Sequence, residues 1–239
     1  MFGVSTFCLH QESLTTALDK ISVISDYIEV MDDGLHFLES AEPLMSYAEK
    51  FSIHAPSRGT NIASLLEPIR QASVDVIAQC FRIAAEVNAG VIVHPGYFAW
   101  AEERLKAERQ LRTSLSDLSR LGREFSVDYL VENMGNWDYF FLKTPDELSL
   151  IGDTPFALDV GHAHLNHCLS EFLDVPAGHY HLHDNNGTVD SHLAIGEGTI
   201  DFIPVIKALK KNGIIPVIEV GTMEGVLKSI QRLTVFNSP

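Results

Sequence analysis

Short runs of apolar and β-branched residues alternate along the chain with longer segments in which apolar positions recur at helical spacing. The strand-like runs are FGVSTF (2–7), DYIEV (26–30), FSIH (51–54), GVIVH (90–94), VDYLVE (127–132), PFALD (155–159), YHLH (180–183) and PVIEV (216–220). Between and after them the pattern predicts helices over about 12–24, 41–49, 65–88, 101–124, 145–151, 166–174, 201–211 and 223–232. End signals agree with several of these. Thr144-Pro145-Asp146-Glu147 supplies an N-cap, a proline at the first helical position and the glutamate of a capping box, and Gly213 follows Lys210 and Lys211 as a stop. No Pro/Ser-rich linker, composition shift or low-complexity segment interrupts the series. Eight βα units in one run predict a single-domain α/β fold over 1–239, a (β/α)8 or TIM barrel with its site at the C-terminal face of the strands. The alternative is an open doubly wound sheet. That fold often carries a glycine-rich phosphate turn after its first strand, whereas the turn here reads TFCLHQES.

With 239 residues, 46% of them hydrophobic, the chain can bury a sizeable core. It contains no run of 18 apolar residues, so no membrane span is predicted. The start, MFGVSTF, lacks the basic segment and apolar stretch of a secretory leader. Cys8, Cys80 and Cys168 are scattered and odd in number, which excludes a disulfide scaffold or a CxxC metal knuckle and makes a reducing, cytoplasmic setting the expectation. A net charge of −15 disfavours nucleic acid as a partner unless bound cations reverse the field locally.

Seven of the eleven histidines fall at or just beyond a strand end: His10, His54, His94, His162, His164, His181 and His183. Glu132, Asp159 and Glu219 end other strands. In a barrel these ends converge on one face. A lone histidine before Ala-Pro (His54) or Pro-Gly (His94) reads as a turn residue bonded to a carbonyl, but the same chemistry at so many strand ends points to a shared site. Buried carboxylates such as Glu132 and Glu219 would be costly without a cation or a hydrogen-bonding partner. A divalent metal, zinc or manganese, suits a mixture of imidazole and carboxylate. Glu29 is expected inside the barrel, as a substrate-facing carboxylate or, since it precedes its strand end, rather as a core group held by hydrogen bonds.

HAP (54–56), HPG (94–96), VEN (131–133), DVGH (159–162), HLHD (181–184), VDSHLAIGEG (189–198) and IEV (218–220), in this order, resemble the motif series of the xylose isomerase-like TIM barrels, to which the endonuclease IV-type apurinic endonucleases also belong. The endonuclease branch implies up to three zinc ions. His54, His94 and Glu132 would surround the first; Glu132, Asp159, His181 and Glu219 the second; His162, Asp190 and His192 the third. The sugar isomerase and epimerase branch implies one metal on Glu132, Asp159, His181 and Glu219, with Glu132 and Glu219 as the acid/base pair and His162 on substrate hydroxyls. Asn133 and Trp137, in the loop ENMGNW, are expected to line a sugar pocket, and His183 to be a substrate contact or a support for the ligands.

Retention of His54, His94, Asp190 and His192 speaks for multi-metal hydrolysis. Against it, Ser57 and Arg58 stand where the DNA enzymes generally carry an aromatic wedge, and the loop reads SRGTNIA. Arg104, Lys106, Arg109, Arg112, Arg120 and Arg123 share one helix with Glu102, Glu103, Glu108, Asp117 and Glu124, the pattern of a solvated face rather than a phosphate footprint. The expectation is therefore an isomerase or epimerase of a small sugar, sugar phosphate or polyol-derived ketone. A multi-zinc phosphodiesterase acting on abasic DNA is the alternative. A non-catalytic metal-binding barrel would be expected to lack ligands, and none of the nine is missing.

Overall fold

The computed structural model describes residues 2–237. Eight strands, β1 (Gly3–Ser5), β2 (Tyr27–Met31), β3 (Lys50–His54), β4 (Gly90–Val93), β5 (Tyr129–Glu132), β6 (Phe156–Asp159), β7 (His179–Leu182) and β8 (Val217–Ile218), form a closed parallel barrel in chain order. Gly3 pairs with Val217 and Val4 with Ile218, which closes the ring between β1 and β8. The helices around it are α1 (Leu14–Ile21), α2 (Glu42–Met45), α3 (Glu67–Glu86), α4 (Arg104–Phe125), α5 (Val160–Leu165), α6 (Leu169–Leu173), α7 (Phe202–Asn212) and α8 (Met223–Asn237). None of the helices of the described residues is long and apolar enough to cross a membrane.

Side chains alternate across each strand, so every second residue enters the barrel. Tyr27 and Glu29 on β2, Ser52 on β3, and His179 and His181 on β7 meet in its interior, where an apolar layer is usual for this fold. Outside the barrel, α3 and α4 pack together around Arg70. Its buried guanidinium bonds Glu67, Asp117 and the Ser114 hydroxyl, which satisfies a charge that would otherwise be costly there. The basic residues of α4 do form a solvated face: Arg104 pairs with Glu108 and Glu147, Arg120 with Glu124, and Arg112 donates to the Ser149 carbonyl.

Several predicted elements differ in extent. The first strand ends at Ser5, and Thr6–Leu9 close as a 3-10 turn because the Ser5 hydroxyl accepts from the Phe7 amide. The segment 145–151 is a 3-10 helix over Pro145–Leu150, and Thr144 makes no side-chain cap. Glu147 instead takes the Lys143 amide at 2.7 Å and the Arg104 guanidinium, so its carboxylate is drawn away from a capping box. The helix expected over 166–174 is preceded by an unforeseen one, α5. Asp159 is its N-cap, accepting from the His162 amide at 2.6 Å, which couples a strand end directly to a helix start.

Candidate metal centre

Glu132 ends β5, Asp159 ends β6, His181 lies on β7 and Glu219 follows β8, so neighbouring strands deliver four side chains to one point. All four are buried, and one potential ligand atom from each lies within 4.8 Å of the others. His181 Nδ1 is 2.5 Å from Glu132 Oε1, 3.7 Å from Glu219 Oε2 and 3.9 Å from Asp159 Oδ2. Asp159 Oδ2 and Glu219 Oε1 are buried with no hydrogen-bond partner among the described residues. Such orphaned oxygens are expensive unless a cation completes them. The donor set, one imidazole and three carboxylates, fits a divalent ion.

Two further clusters adjoin this quartet. At the ends of β3 and β4, His54 Nε2 and His94 Nε2 lie 3.3 and 3.0 Å from Glu132 Oε2 and 3.1 Å from each other. Over the barrel mouth, Asp190 Oδ2 lies 3.1 Å from His162 Nε2 and 3.4 Å from His192 Nε2. Each of His54, His162 and His192 has its other nitrogen, Nδ1, near a backbone carbonyl: Ala55 at 3.0 Å, Asn133 at 2.8 Å and Glu219 at 2.8 Å. Donation from Nδ1 to these carbonyls fixes the tautomer that leaves Nε2 as a lone-pair donor, the arrangement usual for metal-ligating histidine. His192 sits at φ +43°, a left-handed backbone conformation uncommon for any residue but glycine.

In the metal-free chain, protons compensate these carboxylates. Burial opposes charge on His181, but Glu29, Glu219 and Glu132 outweigh it and hold the imidazole well above its ordinary pKa. Burial likewise opposes the charge of Glu132, while the charge and hydrogen bond of His181 and the hydrogen bonds of His54 and His94 hold it well below the carboxylate range. His54 and His192 are each pushed up to about 9 despite burial, the first by Glu132 and the second chiefly by Asp190. His94, by contrast, is lowered by burial despite Glu132.

The centre opens into a cavity of about 800 Å³. Glu132, Glu219, His54, His94, His162, Asp190 and His192 line it, with Trp137, Tyr97 and Phe140 on one wall. The Trp137 ring lies 5.5 Å from Tyr97 and 4.9 Å from Phe140, centroid to centroid. The sequence reading missed Tyr97 and Phe140, whose only signal is the run of aromatics in GYFAW and DYFF. Asn133 departs from its expected role. It is fully buried, donates to the Asp159 carbonyl at 2.9 Å and accepts the Asp159 amide at 2.7 Å, so its amide clips β5 to β6 and is absent from the cavity wall. His183 is also fully buried and away from that wall. Its Nε2 lies 3.1 Å from Asp159 Oδ1 and 3.6 Å from Asp190 Oδ1, and its ring stacks on His192 at 4.0 Å, which adds it to the His162, Asp190, His192 cluster.

The sequence pattern of the xylose isomerase-like TIM barrels matches residues 38–233, and the chain belongs to that family. Protein MJ1614 of Methanocaldococcus jannaschii, itself uncharacterised, is 37% identical over 227 residues, which cover 91% of this chain and 90% of that one. A D-tagatose 3-epimerase-like protein of known structure is 31% identical and superposes with a TM-score of 0.92, covering 99% of this chain and 96% of its own. The IolI protein with a bound zinc atom shares the fold at 17% identity and a TM-score of 0.80, covering 98% and 97% of the two chains.

Proposed function

We propose that this protein is a divalent-metal-dependent isomerase or epimerase of a small sugar, sugar phosphate or polyol-derived ketone. The observation that carries the reading is the convergence of two buried carboxylates, Glu132 and Glu219, on His181 Nδ1 at the floor of the cavity, with Glu219 Oε1 unpartnered among the described residues. The resemblance to a D-tagatose 3-epimerase-like protein over 99% of the chain supports it.

Glu132, Asp159, His181 and Glu219 would hold the metal, which when bound supplies Lewis-acid polarisation of a substrate carbonyl and a template for the neighbouring hydroxyl. Glu219 and Glu132 do the proton chemistry. One carboxylate takes the proton from the carbon beside the carbonyl, and the electron pair of that C–H bond moves toward the carbonyl oxygen. Return of a proton to the opposite face of the same carbon gives epimerisation; its return to the adjacent carbon gives isomerisation. His162 and Trp137, both on the cavity wall, would orient hydroxyls and the sugar face. The test is turnover of a panel of ketoses, aldoses and their phosphates by zinc-, manganese- and cobalt-loaded protein. Conversion that Glu219→Gln abolishes with the fold intact supports the reading, and no conversion of any member contradicts it.

One observation favours a second reading. The clusters His54–His94–Glu132 and His162–Asp190–His192 are both assembled beside the quartet, as a multi-zinc phosphodiesterase would require. Efficient nicking of duplex DNA at a single abasic site by zinc-loaded protein, lost in His54→Ala and His192→Ala, would establish that chemistry instead.

A further inference from the structure

Glu29 is fully buried inside the barrel, on a strand that is not a neighbour of β7. Its Oε1 reaches across the interior to His181 Nε2 at 2.6 Å. A carboxylate placed there is costly, and apolar residues of similar volume commonly replace buried ion pairs without loss of stability. A core role alone therefore gives no reason for a charge at this position. We propose that Glu29 is the positioning residue of the metal centre: it holds His181 protonated at Nε2, with Nδ1 turned to the metal, and its charge strengthens that ligand.

The geometry separates the two ring nitrogens. Around Nδ1 lie Glu132, Glu219 and Asp159, which with His181 form the quartet. The carboxylate at Nε2 is Glu29, whose other oxygen is held by the Ser52 hydroxyl at 2.7 Å and approached by His179 Nε2 at 3.0 Å. Ser52 itself accepts from the Tyr27 hydroxyl at 3.0 Å, so the carboxylate is fixed from both ends. Glu29, His179 and His181 also lie close enough together to resemble a ligand cluster. At 2.6 Å, Glu29 and His181 Nε2 are close enough that a hydrogen bond between them requires a proton between the two atoms, and its partners make that bond charge-assisted. The contrast with the other histidines is chemical. His54, His162 and His192 are anchored at Nδ1 by neutral carbonyls and present Nε2, whereas His181 is anchored at Nε2 by a full negative charge and presents Nδ1. A charged partner both orients an imidazole and raises its donor strength.

The inference rests on the metal quartet proposed above, and cobalt(II) titration of the metal-free protein, followed by the visible absorption of the bound ion, tests the two separately. Wild-type protein is expected to take up cobalt, and Glu29→Gln to bind it about 10–100-fold more weakly. The glutamine keeps the shape and can still accept from Nε2, so the readout is taken at a temperature where circular dichroism shows both proteins folded. A merely structural Glu29 would lower the melting temperature of the metal-free protein and leave cobalt affinity unchanged, and that result overturns the inference while the quartet stands. No uptake by wild-type protein removes the quartet and this inference with it. Should Glu29→Gln not fold, nitrogen-15 spectra of zinc-loaded wild-type protein decide the matter: His181 protonated at Nε2 and ligated through Nδ1 supports the inference, and the reverse tautomer contradicts it.

Discussion

His192 Nδ1 lies 2.8 Å from the carbonyl oxygen of Glu219, so the residue that offers a carboxylate to the cavity floor also anchors a histidine of the loop that closes over it. The other ring nitrogen of His192 faces Asp190 at 3.4 Å. The segment that follows β8 and the loop after β7 are thereby joined through one imidazole.

Removing a side chain of this outer cluster should be visible in metal content. On the multi-zinc reading, His192→Ala, and separately Asp190→Asn, are expected to bind one fewer zinc ion per chain than wild type, with the barrel intact. Elemental analysis after dialysis against limiting zinc measures it, and unchanged stoichiometry in both variants would show that the outer cluster holds no ion.

The metal-free and zinc-loaded proteins should respond differently to pH. His54 and His192 sit at about 9 in the folded, metal-free chain, above the roughly 6.5 of an unfolded histidine. A raised imidazole contributes stability that is fully present below about 6.5 and is lost as pH climbs through about 9. The melting temperature of the metal-free protein should therefore fall across that window. Where zinc occupies the clusters of His54 and His192 it would take the place of the proton, so its affinity should rise over the same window and the loaded protein should keep its melting temperature.

Gly161 is a packing requirement of the site. A Cβ built there would lie 2.0 Å from Cε1 of His183, in a helix whose start is fixed by Asp159. Gly161→Ala should destabilise the protein by about 1–3 kcal/mol in urea unfolding, as overpacking does. Combining it with His183→Ala should recover part of that loss, and strict additivity in the double-mutant cycle would contradict the contact.

Trp137 is 45% exposed at the rim of the cavity and packs on Tyr97 and Phe140. Trp137→Ala is expected to raise KM for an accepted sugar about tenfold, roughly 1.4 kcal/mol, while kcat changes little. A fall in kcat at constant KM would place the ring in the chemical step instead.

The strands were legible in the sequence because each ends where a short apolar run ends, and the polar residues at those ends were legible with them. His54, Glu132 and Asp159 close their strands, and the motif order gave Asp190 and His192 a place in the loop. What escaped the reading depends on contacts between distant segments. Glu147 is expected to cap its own helix until Arg104, from α4, claims it. Helix α5 starts only because Asp159 turns back to the His162 amide, and a stretch reading VGHAHL carries little helical signal. His183 enters the outer cluster because Gly161 leaves room for its ring, and Asn133 is diverted from the pocket by a two-way bond to Asp159. Glu29 was legible as a buried, hydrogen-bonded group, but its partner lies on a non-neighbouring strand 152 residues away.

In the proposed reaction Glu132 and Glu219 transfer a proton at a carbon beside a carbonyl. Incubating metal-loaded protein with hydroxy-ketones in deuterated water measures it directly, because a proton held on a carboxylate can exchange with solvent before it is returned. Mass and proton NMR spectra of recovered substrate and product should show deuterium on that carbon, suppressed in Glu132→Gln and Glu219→Gln. Conversion that proceeds with no deuterium incorporated, or incorporation unchanged in both variants, would contradict the mechanism.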